Sequence, residues 1–149
     1  MLNIENLTNL TININLLEKI SILLQKEFRF GEIELIICKN ETIQQYNQEY
    51  RKKDMPTDVL SFPIEKDMII GEIEIPLGSI IISADFVKEK AKEFGHSNDD
   101  ELSLLFIHGM LHLLGFDHEI DNGGMRKKEE EIINKFHLPK SLIIRTEES

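Results

Sequence analysis

The chain has 149 residues, with 17 basic and 27 acidic side chains and a formal net charge of −10. That length favours one domain, residues 1–149, large enough to build a core without disulfides. The acidity excludes binders that draw their affinity from an overall positive surface, such as histone-like or repressor-like proteins, but leaves room for a nucleic-acid enzyme with a local basic patch and a metal.

Residues 1–5 read as a short first strand. No basic segment leads into an apolar run there, so no signal peptide is expected. Residues 11–28 follow as an amphipathic helix, with Leu16, Leu17, Ile20, Leu24 and Phe28 at helical spacing. Residues 32–38 (EIELIIC) form a β-rich run, alternating at first and then wholly apolar. It ends in Cys38, the single cysteine. A lone cysteine in an apolar run implies a buried strand residue in a reducing compartment, which makes the cytoplasm the expected location.

Asn40 is placed to cap a helix over residues 41–51, whose apolar side is thin. Met55-Pro56 marks a turn, after which residues 59–62 form a strand stopped by Pro63. Two more β-rich runs, 68–75 and 78–82, are parted by Pro76. Ala84, Val87, Ala91 and Phe94 then mark a helix closed by Gly95. Asn98 opens another with Asn-Asp-Asp-Glu, a pattern resembling a capping box, and this helix runs to Gly115. A last helix spans about 122–137. Strands dominate early and helices late, which predicts an α+β fold: one small mixed sheet of about four strands, packed with about five helices.

The helix ending at Gly115 is apolar almost all round, so it should be central and buried. At 102–116 its apolar stretch is too short to span a bilayer, and no membrane role is expected. His108 and His112 break the apolar pattern. They lie four residues apart on one face, a turn above one another. Gly115 lets the chain turn back, so that His118 can approach the same point. Burying an imidazole without a partner costs on the order of 1–3 kcal/mol, and a shared metal would offset that cost. Three protein nitrogens with an open fourth position suit catalytic zinc, whereas structural sites are closed by four ligands. His108, His112 and His118 are therefore the candidate ligands of one Zn2+ ion, although three imidazoles also accept nickel or copper. His96 and His137 fall outside the cluster and are expected to face solvent.

The spacing H-x3-H-x2-G-x2-H is shared with the metzincin peptidases, in which a glutamate follows the first histidine and acts as general base. Gly109 stands there in this chain and can do no acid–base work. The segment His108-Gly-Met-Leu-His112-Leu-Leu-Gly115-Phe116-Asp117-His118 resembles the motif of the YbeY family of bacterial rRNA-maturation endoribonucleases. A second block, Arg51-Lys-Lys-Asp54-Met-Pro56-Thr57-Asp58-Val-Leu-Ser61-Phe62, is similar to the family's R-x-x-D-x-P-T-D-V-L-S-F. One departure is Gly78-Ser79-Ile80, where the family usually carries Gly-Asp-Ile.

The resemblance implies a zinc-dependent endoribonuclease that prefers single strands and acts on rRNA, notably the 3′ end of small-subunit rRNA. It also implies a role in ribosome quality control, with the ribosome or its small subunit as partner. Arg51 is the candidate catalytic cation, because guanidinium matches phosphate in a bidentate way. Lys52 and Lys53 read as solvated helix surface, and so does the cluster Arg126-Lys127-Lys128, with guidance of RNA past an otherwise acidic surface as its alternative. Asp117 reads as a turn residue, and Asp58 and Ser61 as residues that order the strand or bond the backbone. Two alternatives stay open at this point. One is a peptidase-like metallohydrolase of another substrate class, and the other is a ribosome assembly factor with a structural metal.

Overall fold

The structure is a computed structural model that describes residues 1–64, 76–117 and 123–139. His118 and the β-rich run at 68–75 lie outside the described residues. Four strands, β1 (Leu2–Asn6), β2 (Ile33–Cys38), β3 (Val59–Pro63) and β4 (Gly78–Ser83), form one sheet in the order β1-β2-β4-β3. β1, β2 and β4 run parallel, and β3 pairs antiparallel with β4 along the edge. The two inner strands carry near-continuous apolar runs because helices cover both their faces. β1 alternates between half-buried and exposed, as an edge strand should.

Five helices lie among the described residues: α1 (Ile14–Glu27), α2 (Asn40–Arg51), α3 (Ala84–Phe94), α4 (Asn98–Leu113) and α5 (Gly124–Phe136). Strand alternation sends side chains into two cores. Leu35, Ile37, Ile80 and Ile82 meet α1 and α4, where Ile20, Leu24, Phe106, Ile107 and Met110 are fully buried. Ile36, Cys38 and Ile81 point the other way and join Leu60 and Ile43 beneath α2. The expected α+β architecture is the one observed, with one mixed sheet of four strands and five helices among the described residues. No helix among the described residues is long and apolar enough to cross a membrane.

Two capping expectations need correction. Asn40 does not cap α2; Lys39 holds the cap position without a side-chain bond. The Asn40 carboxamide oxygen instead accepts from Ser83 Oγ at 2.6 Å, and its backbone N–H donates to Asp85 Oδ2 at 2.8 Å. These bonds tie the start of α2 to the start of α3. The cap of α4 is Ser97, whose hydroxyl accepts from the Asp100 N–H at 3.0 Å. Asp99, Asp100 and Glu101 still occupy the first turn, where acidic side chains suit the positive helix end.

Gly78 opens β4 at φ +138°, and a Cβ built there would stand 2.2 Å from the Phe62 carbonyl oxygen. Only glycine fits that approach. The next residue, Ser79, points to the α2 side of the sheet, because Ile80 points to the α4 side. Its hydroxyl lies 3.4 Å from Glu34 Oε1.

Candidate active site

Helix α4 crosses the sheet with 12 of its 16 residues buried. It approaches β4 so closely that a Cβ at Gly109 would lie 2.9 Å from Ile80 Cγ2. Position 109 therefore faces the sheet. A glutamate there would be driven into Ile80 rather than toward the histidines, which supplies the physical reason that the peptidase pattern does not apply. On β3, Ser61 Oγ lies 3.4 Å from the Gly109 carbonyl oxygen and links the edge strand to α4 beside His108.

His108 and His112 meet on the turn of α4 that leaves the core. Their rings are nearly perpendicular, with centroids 4.7 Å apart, and the two Nε2 atoms stand 3.1 Å from each other. Both rings are held from behind. His108 Nδ1 lies 2.5 Å from Glu129 Oε2, and His112 Nδ1 lies 3.0 Å from the Phe116 carbonyl oxygen. A carboxylate and a backbone carbonyl only accept, so Nδ1 carries the proton in each ring. In neutral imidazoles both Nε2 atoms are then acceptors. Two lone pairs facing each other at 3.1 Å repel unless a proton or a cation lies between them. The donor set fits a divalent cation.

The chain reversal after α4 supplies the second of those anchors. Gly115, at φ +98°, donates its N–H to His112 O at 3.1 Å, and Phe116 donates to Leu111 O at 2.9 Å. These are the two bonds of a Schellman motif, and Gly115 caps the helix as expected. Phe116 packs edge-on against Phe28 at 5.4 Å, which holds the reversed chain against α1. Asp117, half-buried, is the last described residue before His118.

Arg51 is brought to a different kind of place. It is the exposed last residue of α2, followed by Lys52 in the left-handed conformation at φ +58°. The loop beyond it is anchored to the helix: buried Asn47 donates from Nδ2 to Met55 O at 2.9 Å, and Gln44 Nε2 donates to Asp54 Oδ1 at 2.9 Å. Tyr50 is 60% exposed and packs edge-on against Phe62 at 5.3 Å. Arg51, Lys52 and Lys53 make no side-chain ion pair among the described residues. Asp58 accepts from the Val59 N–H at 2.7 Å, so it bonds the backbone at the start of β3.

Two surface assignments are overturned. The His96 side chain is 9% exposed, and its Nε2 lies 2.7 Å from Oε1 of fully buried Glu101. Lys128 is 8% exposed rather than solvated. Its ammonium donates to Glu27 and Glu131 and lies 5.4 Å from the centre of the Phe28 ring. Burial opposes its charge, but the bonds and charges of Glu27 and Glu131 outweigh that and raise its pKa. Glu129 was not anticipated as part of the site. Its signal lay in the pattern of α5, where Met125, Lys128, Glu129, Ile132 and Ile133 form one buried stripe at helical spacing. A glutamate on such a stripe needs a partner.

An α+β domain with paired imidazoles on its central helix, their inner nitrogens braced and their outer nitrogens converging, has the donor arrangement of helix-borne metal-dependent enzymes. The family described as Endoribonuclease YbeY matches residues 3–137, and the chain belongs to that family. A relative from a Sulfurovum species, named Endoribonuclease YbeY, is 56% identical over 99% of this chain and 98% of its own length. One from Aliarcobacter butzleri with the same name is 57% identical over 97% and 99%. A Thermotoga maritima protein with a solution structure is 29% identical, covers 92% of both chains, and superposes with a TM-score of 0.57.

Proposed function

We propose that the chain is a metal-dependent endoribonuclease, a hydrolase of RNA phosphodiester bonds, in a single domain. His108, His112 and His118 hold one zinc ion, and Arg51 is the catalytic cation. The substrate is single-stranded RNA, within rRNA processing at the 3′ end of small-subunit rRNA and in ribosome quality control. The work place is the cytoplasm, at the ribosome or its small subunit. Two things support the activity: the family, and relatives named endoribonuclease over nearly the full chain. The observation that carries the metal reading is the pair of Nε2 atoms 3.1 Å apart, each ring's Nδ1 already committed to an acceptor.

A bound divalent ion supplies Lewis acidity, which polarises phosphate oxygens and lowers the pKa of water. The chain's own residues do the rest. Glu129 and the Phe116 carbonyl keep the two Nε2 atoms aimed at one point. Arg51 offers a planar set of donors to the charge that builds on the phosphoryl oxygens. Exposed Tyr50 beside it offers a ring on which an unstacked base can lie, a contact open to single strands and not to duplexes. Lys52 and Lys53 add local positive charge on a chain whose net charge is −10.

The test is cleavage of a single-stranded RNA, a matching duplex and an unstructured polypeptide by purified protein, before and after chelation and zinc return. Cleavage of the single strand alone, lost on chelation and restored by zinc, is the expected result. Cleavage that survives removal of all metal would overturn the metal reading, and polypeptide cleavage would overturn the substrate class.

A further inference from the structure

We propose that Glu129 is a positioning residue whose buried carboxylate fixes the tautomer and rotation of His108, and that it thereby sets how tightly the histidines hold a divalent metal. The inference rests on the metal reading above. It concerns a residue on another helix, separated from His108 by 21 positions. Glu129, Glu130 and Glu131 are consecutive, yet only Glu129 faces inward, at 1% exposure, while the side chains of its neighbours are 46% and 63% exposed. A carboxylate in such a place is costly unless a strong donor meets it. That donor is His108 Nδ1 at 2.5 Å, and a bond from a ring N–H to an ionised carboxylate is of the stronger, charge-assisted kind.

The bond has a directional consequence. With its proton held on Nδ1, the His108 ring presents an Nε2 lone pair toward His112. Without that bond the ring is free to take the other tautomer or to rotate. A carboxylate behind the ring also makes the nitrogen in front more basic, and so a stronger ligand.

The placement of α5 does not depend on Glu129 alone. Met125, Ile132 and Ile133 bury on the same stripe, and Lys128 bonds Glu27 on α1. The isosteric change Glu129→Gln should therefore leave the fold standing while removing the charge behind the ring.

The experiment uses full-length protein, with zinc affinity measured by competition against a chromophoric chelator and the unfolding midpoint measured on metal-free samples. Glu129→Gln should weaken zinc binding by about 10- to 100-fold with little change in the metal-free midpoint. Lys128→Met should do the reverse, lowering the midpoint with zinc affinity unchanged. Glu129→Asp keeps the charge but shortens the reach, and serves as the second variant if the amide disturbs folding; its affinity should fall between the other two. Wild-type zinc affinity in a folded Glu129→Gln or Glu129→Asp protein would overturn the inference and leave the ribonuclease reading intact. Failure of the wild-type protein to bind zinc would overturn the inference together with the zinc reading on which it rests.

Discussion

His108 and His112 lie on a helix buried along most of its length, each ring anchored through Nδ1, whereas Arg51 ends a helix with only two buried residues and is exposed. The first pair is preorganised: its geometry is fixed by packing before any ligand arrives, and the energy that fixes it comes from folding. The guanidinium makes no ion pair among the described residues, and its backbone is placed by the left-handed turn at Lys52 and the Asn47 anchor. Under the proposed function the braced histidines would form a rigid half and Arg51 an adaptable one, a division that suits a substrate whose phosphates must be gripped wherever a flexible strand places them. Substitutions should therefore behave differently at the two places.

The largest effect is expected at the rigid half. Changing His112 to alanine should reduce single-stranded RNA cleavage by at least about a thousandfold and lower bound zinc below one equivalent, measured by turnover and elemental analysis on the same sample. If turnover falls while metal stays full, the imidazole acts on substrate and not on the ion. At the adaptable half, Arg51→Ala should cost about 10²- to 10³-fold in kcat with metal content unchanged. Arg51→Lys should recover little, because an ammonium lacks the planar fork. Full recovery by lysine would reduce the role of Arg51 to simple charge.

A smaller effect separates packing from chemistry. Gly109→Ala puts a methyl group 2.9 Å from Ile80 Cγ2, on a stiff β-branched side chain that is fully buried. Overpacking of this kind costs about 1–3 kcal/mol, partly offset by the roughly 1 kcal/mol gained when a helical glycine is replaced. The unfolding midpoint should drop modestly while zinc affinity holds. A more stable variant would show that α4 and β4 have slack between them. The smallest effect concerns Cys38. Burial, with Asp85 second, pushes its thiol up to about 11, so it stays protonated at neutral pH. Thiol reagents should label it at pH 8 only as fast as the protein unfolds; rapid labelling of native protein would contradict its burial.

Much of this arrangement was legible in the order of residues. The apolar run of α4 and the histidine spacing inside it pointed to a buried helix with a site on one face, and Gly115 marked its end. The four strands and five helices among the described residues fall where periodicity placed them, because apolar spacing reports which face is covered; the fifth β-rich run, 68–75, lies outside those residues. What the sequence left illegible were choices made in three dimensions. Asn40 and Ser97 are both good caps in isolation. Asn40 was drawn away by Ser83 and Asp85, which come near only after β2 and β4 pair. His96 looked like a surface histidine because its partner, Glu101, belongs to the next helix and reads as a first-turn acid.

Lys128 and Glu129 sat within a run of charged residues, MRKKEEE, whose composition suggests a solvated face. Only the stripe defined by Met125, Ile132 and Ile133 shows that two of those charges point inward. Charge in a helix is better judged by its phase than by its density. The departure at Ser79 is also resolved by phase, since β4 turns that side chain to the α2 side of the sheet and Ile80 toward α4. The serine is therefore not part of the histidine face.

The central claim is that two imidazole nitrogens of α4 converge on one metal ion. X-ray absorption at the zinc edge of the loaded protein tests it without reference to turnover. The account predicts a first shell that includes imidazole nitrogens at about 2.0–2.1 Å, with their number reduced when His108 or His112 is replaced by alanine. A shell without imidazole, or one that is the same in the variants, would contradict it.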